Sequence, residues 1–262
     1  MKMKTLLAAG MILMVTALSE ARPVAAFDTS KLIDLTYSFN TDTIYWPTEK
    51  PLQHEFEKFG MEDGHFYASG KFAAPEHGGT HMDAPIHFNK NGIYADQVPL
   101  ANCIGPAAVI DFSARAAKDP DAMLRVDDIK AYEEQYGRIP DGAIVVARSG
   151  WGKFWPDKKS YLGTDKPGDV ADLHFPGYSP EAADWLTKNR NLAAIAIDTA
   201  SMDPGISKDF KVHQIWLGTD KPGFENIANA DKLPPKGATI FCIPMKLGKG
   251  TGGPTRAFAL MP

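Results

Sequence analysis

His77-Gly78-Gly79-Thr80-His81-Met82-Asp83-Ala84-Pro85-Ile86-His87-Phe88 places three of the chain's seven histidines within eleven residues. Imidazole and carboxylate are the side chains that ligate zinc or manganese, and two histidines with one carboxylate leave coordination positions free for water and substrate. The four-residue gap from His77 to His81 is that of helical zinc motifs, but no Glu follows the first His and two glycines fill the interval, a poor composition for a helix. Gly78 and Gly79 instead predict a tight loop on which His77, His81 and Asp83 converge, with Ala84-Pro85 stiffening its exit. The competing reading is three unrelated histidines on a surface loop.

Outward from this stretch, short apolar runs bounded by turn residues predict buried strands at Leu32 to Leu35, Ala107 to Phe112, Ala143 to Ala147, Leu192 to Ile197 and Ala238 to Ile243. Ser179-Pro180-Glu181 is a helix start with a capping side chain and proline in the first turn, leading into Ala182 to Lys188. A second helix is expected from Val126 to Tyr136, ending at Gly137. Strands interleaved with helices, with no long serine- or glycine-rich linker, indicate one mixed α/β domain. The heptapeptide Leu-Gly-Thr-Asp-Lys-Pro-Gly occurs at residues 162 to 168 and again at 217 to 223; its flanks differ, so it reads as two similar turns. Gly248-Lys249-Gly250-Thr251 lacks the spacing of a phosphate-binding loop and is expected to turn the chain before a last strand.

At the amino end, Lys2 and Lys4 precede an apolar run from Thr5 to Leu18, and Val24-Ala25-Ala26 supplies small residues for cleavage, the layout of a secretory leader. The run is shorter than the roughly 20 residues a bilayer-spanning helix requires, so no stable membrane association is expected. A mature chain from Phe27 loses Lys2, Lys4, Arg22 and Glu20, which takes the formal charge from −4 to −6 and leaves 236 residues, an ordinary single-domain length. That acidity offers no basic footprint for nucleic acid. Cys103 and Cys242 both lie in apolar surroundings, and an exported protein could pair them, but buried, unpaired small hydrophobes are the plainer expectation.

Residues 77 to 88 match every fixed position of His-x-Gly-Thr-His-x-Asp-x-Pro-x-His-Phe, and the chain here resembles the metal-dependent cyclase-like amidohydrolases, a family that includes bacterial kynurenine formamidases and isatin hydrolases. Tyr45-Trp46-Pro47, Leu173 to Gly177 with Ser179 to Ala183, Ile197 to Asp203, His213, Glu225 to Asn229 and Gly252 to Arg256 extend the resemblance over nearly all of the mature chain. It implies a barrel-like mixed central sheet with flanking helices, a homodimer, metal ligation by His77, His81 and Asp83, and proton transfer by His87. His213 and Glu225 resemble a pair that completes a second metal site; in the isatin hydrolase branch, which works with one manganese, His213 would orient substrate instead, with Gln214 also within reach.

The chemistry so implied is hydrolysis of a carboxamide or lactam with Mn2+, or alternatively Zn2+, and with His87 as the proton shuttle. Trp46 and Phe88 are candidate walls for a flat aromatic amide substrate, while His54, His65 and His174 are expected to be surface or structural residues. An export leader favours opening of a cyclic amide such as isatin over formylkynurenine hydrolysis, because kynurenine breakdown is intracellular. An exported metal-binding protein without turnover is the reading from another class. A serine hydrolase lacks its Gly-x-Ser-x-Gly elbow anywhere in the chain.

Overall fold

The apolar runs marked in the sequence become strands of one continuous sheet, each close to its expected bounds. The computed structural model describes residues 28–262, so the expected leader, residues 1 to 26, and the start at Phe27 lie outside the described residues. In chain order the strands are β1 Leu32–Asp34, β2 Gln53–Glu62, β3 His65–Ala73, β4 His81–Asp83, β5 Ile104–Asp111, β6 Met123–Leu124, β7 Ile144–Arg148, β8 Gly177–Tyr178, β9 Ala194–Ile197, β10 Gly223–Glu225, β11 Lys236–Pro244 and β12 Gly252–Leu260. The helices are α1 Ser113–Ala116, α2 Val126–Tyr136, α3 Lys158–Leu162, α4 Pro180–Asn189 and α5 Lys211–Leu217. Both expected helices form; Ser179 Oγ accepts from Ala182 N to cap α4, and Gly137, at φ 89°, ends α2.

The main sheet runs β1-β12-β11-β5-β7-β9-β10-β4, and β4 also pairs with β12, so seven strands close into a barrel with β1 added outside the ring. Strands β5, β7, β9 and β10 run parallel, and the pairings through β4, β11 and β12 are antiparallel. This is the mixed, barrel-like α/β domain the resemblance implied. Parallel strands covered on both faces need continuous apolar runs rather than alternation, which is what Ile144-Val145-Val146-Ala147 and Ala194-Ile195-Ala196-Ile197 supply, every residue buried.

Alternate residues of those strands serve two cores. Val145, Ala147, Ile195 and Ile197 face outward under Ile129 and Tyr132 of α2, Ala182, Ala183 and Leu186 of α4 and Trp216 of α5. Ile144, Val146, Ala194 and Ala196 face the barrel interior with Met82, Phe224, Ile240, Cys242, Ala257 and Ala259. Alanine recurs on the inner face because a seven-stranded ring leaves little volume for side chains.

Cys103 and Cys242 are buried free thiols, joined only through the backbone contact of Cys242 N with Cys103 O at 2.8 Å. Both copies of the repeated heptapeptide begin at a helix end, Leu162 closing α3 and Leu217 closing α5, yet Gly163 is left-handed whereas Gly218 is right-handed. The turn at residues 248 to 251 leads into β12 as expected, with Lys249 at φ 59°. No described helix is long and apolar enough to cross a membrane.

Candidate functional site

The stretch from His77 to His87 is built less as a loop than its glycines suggest. Gly78, at φ 157°, bridges Tyr45 and passes so close to its ring that an added Cβ would lie 2.0 Å from it; Gly79 follows at φ 56°. Residues 81 to 83 then enter the barrel as β4, where strand alternation sends Met82 into the interior and leaves His81 and Asp83 on the other face. Antiparallel register sets Glu225 directly across from His81 and Gly223 across from Asp83. Asn226, held at φ 54°, donates through Nδ2 to Gly79 O at 2.8 Å, accepts Thr80 Oγ1 on its own carbonyl at 2.7 Å, and takes Tyr161 OH on Oδ1 at 2.8 Å. The glycine turn and β10 are thereby locked together, and the ligand-bearing strand with them.

Each histidine facing Asp83 or Glu225 has its outer nitrogen committed to a hydrogen-bond acceptor. His81 Nδ1 donates to Gly79 O at 3.0 Å, which leaves the Nε2 lone pair 3.2 Å from Asp83 Oδ1 and 3.4 Å from Glu225 Oε2, without a hydrogen-bond partner. His213 Nδ1 donates to Asp203 Oδ2 at 2.6 Å, turning Nε2 toward Asp83 Oδ2 at 3.0 Å and Glu225 Oε1 at 3.2 Å. At His77 the assignment comes from the single proton of Thr251: the hydroxyl donates to Glu76 Oε2 at 2.6 Å, so its lone pair takes His77 Nε2–H at 2.9 Å. His77 Nδ1 then meets Asp83 Oδ1 at 2.7 Å. Three imidazole lone pairs thus converge on two buried carboxylates, an arrangement that only positive charge among them relieves.

Protons can supply that charge in place of a cation, at the same nitrogens whose lone pairs would otherwise face the carboxylates. Burial alone would depress His81 and His213, yet Asp83 and Glu225 hold the first above its ordinary imidazole range, and Asp203, Asp83 and Glu225 hold the second well above it. Burial and the neighbouring Asp83 carboxylate raise Glu225. The donor set of soft-to-borderline nitrogens and hard oxygens fits a divalent first-row cation. Ligand atoms of His81, Asp83 and Glu225 lie within 4.8 Å of one another, as do those of His77, Asp83 and His87, so Asp83 belongs to both groups. The His87 ring stacks on His77 at 3.9 Å and is pushed down to about 4, chiefly by burial, so it is neutral at neutral pH.

These groups line one side of a cavity of about 430 Å³. Aromatic side chains line the same cavity. Trp46 sits at its edge, 5.8 Å from Phe210, and Phe88 packs 5.5 Å from Phe210 and 4.7 Å from the His213 ring. Trp46 and Phe88 both line this cavity, and His213 and Glu225 lie among the buried groups facing Asp83. Gln214 does not. One residue past the inward-facing His213 on α5, it is turned to solvent by the helical step of about 100°, and its Nε2 donates to Asp209 O at 2.6 Å.

Five residues of the site escaped the sequence reading. Glu76 and Thr251 fix His77; Asp203 orients His213 while its carboxylate also accepts Val212 N and His213 N at the start of α5. Asn226 braces the glycine turn, and Phe210 lines the cavity from a left-handed backbone at φ 51°. Asp203 and Asn226 were within motifs already marked; Glu76, Thr251 and Phe210 carried no local signal.

A closed mixed α/β barrel that gathers imidazoles and buried carboxylates at an aromatic-lined cavity is the architecture of the cyclase-like class. The family described as "Putative cyclase" matches residues 33–204. Isatin hydrolase of Roseibium aggregatum is 35% identical over 223 residues, covering 82% of this chain and 82% of the relative. Kynurenine formamidase of Salinibacter ruber is 26% identical over 231 residues, covering 86% and 95%. Among solved structures, isatin hydrolase A from Ralstonia solanacearum superposes with a TM-score of 0.81 at 31% identity, over 88% of this chain and 92% of that one. The chain belongs to the cyclase family and is a hydrolase of that family.

Proposed function

We propose that the protein is a divalent-metal-dependent amidohydrolase that opens a neutral, flat cyclic amide, with isatin as the best candidate. The observation that carries this reading is the composition of the cavity: its lining holds Glu49, Glu76, Asp83 and Glu225 but no lysine or arginine. Outside the metal centre, an amino-acid substrate such as N-formylkynurenine brings a carboxylate for which this lining has no lysine or arginine and which Glu49 and Glu76 would repel. A neutral bicyclic lactam stacks between Trp46, Phe88 and Phe210 without that cost.

His77, His81 and Asp83 are assigned the cation, Mn2+ or alternatively Zn2+, with Glu225 and His213 completing its surroundings. When bound there, it supplies Lewis acidity to the scissile carbonyl and to a water molecule. His87 takes a proton from the attacking water and returns one to the leaving amide nitrogen, a task suited to a ring that is neutral beforehand. Asp203, Thr251 and Glu76 hold His213 and His77 in the tautomers that present lone pairs inward. The leader-like residues 1 to 26 support an exported, periplasmic or secreted enzyme that meets small aromatic amides from outside the cell.

The test is turnover of isatin and N-formylkynurenine by protein stripped of metal and reloaded with Mn2+ or Zn2+. The reading expects metal-restored isatin hydrolysis at least tenfold faster, in kcat/KM, than deformylation. Faster deformylation would make the protein a formamidase, and tight cation binding with neither activity would make it a metal-binding protein.

A further inference from the structure

Three buried side-chain polar atoms make no hydrogen bond among the described residues: His81 Nε2, Arg115 Nε and Tyr45 OH. The first belongs to the centre facing Asp83 and Glu225. The second sits on a guanidinium whose other nitrogens already hold Asp128 and Met123 O. Tyr45 OH has neither account, and Tyr45 lines the cavity that holds the centre.

Backbone alternation places this ring. Ile44 is buried in the apolar cluster of Leu173 and Phe175, and Trp46 packs against the same cluster, so Tyr45 between them is turned the other way. There it bridges Gly78, and its Cδ1 and Cε1 occupy the space a Cβ at that position would need. Ile44 O accepts Gly79 N at 2.9 Å and keeps the two segments in step. Tyr45 is only 5% exposed, yet it belongs to none of the three apolar core clusters. With Trp46 and Glu49 it also lines a second cavity of about 340 Å³, so the ring stands at the junction of two open spaces. Phenylalanine would fill the same slot. A tyrosine there carries a buried hydroxyl whose hydrogen-bonding capacity is unmet, which disfavours the ligand-free fold. Burial pushes the phenol up to about 12, so its hydrogen is present throughout the neutral range.

We infer that Tyr45 is a substrate-binding residue whose hydroxyl donates to a carbonyl oxygen of the bound cyclic amide other than the one under attack, so that the site selects lactams with a second ring carbonyl. This rests on the amide-opening reading above. The hydroxyl makes no hydrogen bond to Glu76, Asp83 or Glu225, so it acts apart from the centre to which the scissile carbonyl is drawn. The amide nitrogen is served by His87, which leaves the second carbonyl as the acceptor. Glu49 on the same wall opposes an anionic acceptor.

The test compares wild type with Tyr45→Phe, which preserves the ring and its contact with Gly78. Thermal melts of the metal-loaded, ligand-free proteins need no turnover, and the variant should melt at or above the wild-type temperature. With isatin, KM should rise about three- to tenfold, the range for loss of one neutral hydrogen bond, while kcat stays within about twofold, the pattern of lost uniform binding. Oxindole, a lactam without the second carbonyl, should inhibit both proteins equally. A lower Tm in the variant would show that the protein or a bound water already satisfies the hydroxyl, and would overturn the inference with the amide-opening reading intact. An unchanged KM for isatin, or a matching loss of oxindole affinity, would overturn it in the same way. A wild type that does not hydrolyse isatin would overturn that reading itself, and the assigned acceptor with it.

Discussion

Replacing Thr251 with valine removes one oxygen from the site and leaves its shape unchanged. Glu76 keeps two of its three donors, Thr251 N at 2.6 Å and Gly252 N at 3.1 Å, so the loss falls on His77 Nε2, whose 2.9 Å acceptor disappears. Removing the outer partner of a metal-ligating histidine typically costs 10–100-fold in affinity. The His77 side chain is 24% exposed, so water can replace part of the lost bond, and the low end applies: about tenfold, or about 1.4 kcal/mol. The assay is competition with a chromogenic chelator for Mn2+ and Zn2+, with long-range proton–nitrogen spectra of the zinc-loaded protein to report which His77 nitrogen carries hydrogen. Thr251→Ser, which restores the hydroxyl, should recover wild-type affinity. A valine variant that binds both ions as tightly as wild type would refute the tautomer assignment.

His81→Ala should lose both bound metal and turnover, while His87→Ala should retain metal and lose about 10²–10⁴-fold in kcat; equal metal loss, measured by elemental analysis, would place His87 among the ligands instead. Gly252→Ala drives a Cβ to 2.5 Å from Met82 O and 2.6 Å from His77 Cε1, so thermal unfolding should show about 1–3 kcal/mol of destabilisation together with weakened metal binding. Glu133 joins α2 to the end of α4, with Oε1 2.6 Å from Arg190 Nε and 2.9 Å from Ile139 N. Burial works to raise its carboxyl, but these donors prevail and hold it below its usual range. A depressed carboxyl stabilises the fold above its unfolded value, about 4.3, and that stability is lost as pH falls through the folded value. Glu133→Gln should therefore cost about 1–2 kcal/mol at pH 7, with the gap from wild type closing below about pH 4; a gap unchanged down to pH 3 would contradict this.

Residues that act through their own chemistry were legible in the sequence, and residues that act through placement were not. Buried parallel strands must be apolar throughout, so β7 and β9 stood out as runs, and Ser179-Pro180 marked the start of α4 with its own cap. The short strands β4 and β10 have only three residues each, too few for any periodicity, and barrel closure through them followed from the family resemblance alone. The glycines at 78 and 79 were read correctly as a tight passage, but the partner that demands it, the Tyr45 ring, is over thirty residues away. Gln214 was placed near the site by adjacency to His213, which a helix rules out. Thr251 reaches His77 across 174 residues, and nothing local announces such a contact.

The central claim is that the lone pairs of His77, His81 and His213 converge on Asp83 and Glu225 because a cation belongs among them. Anomalous diffraction at the manganese edge from crystals of the Mn2+-loaded protein tests it most directly. The account predicts one strong peak within ligand distance of Asp83 and of the His77 and His81 rings. No peak there at saturating Mn2+, with His81 Nε2 still facing the two carboxylates, would contradict it.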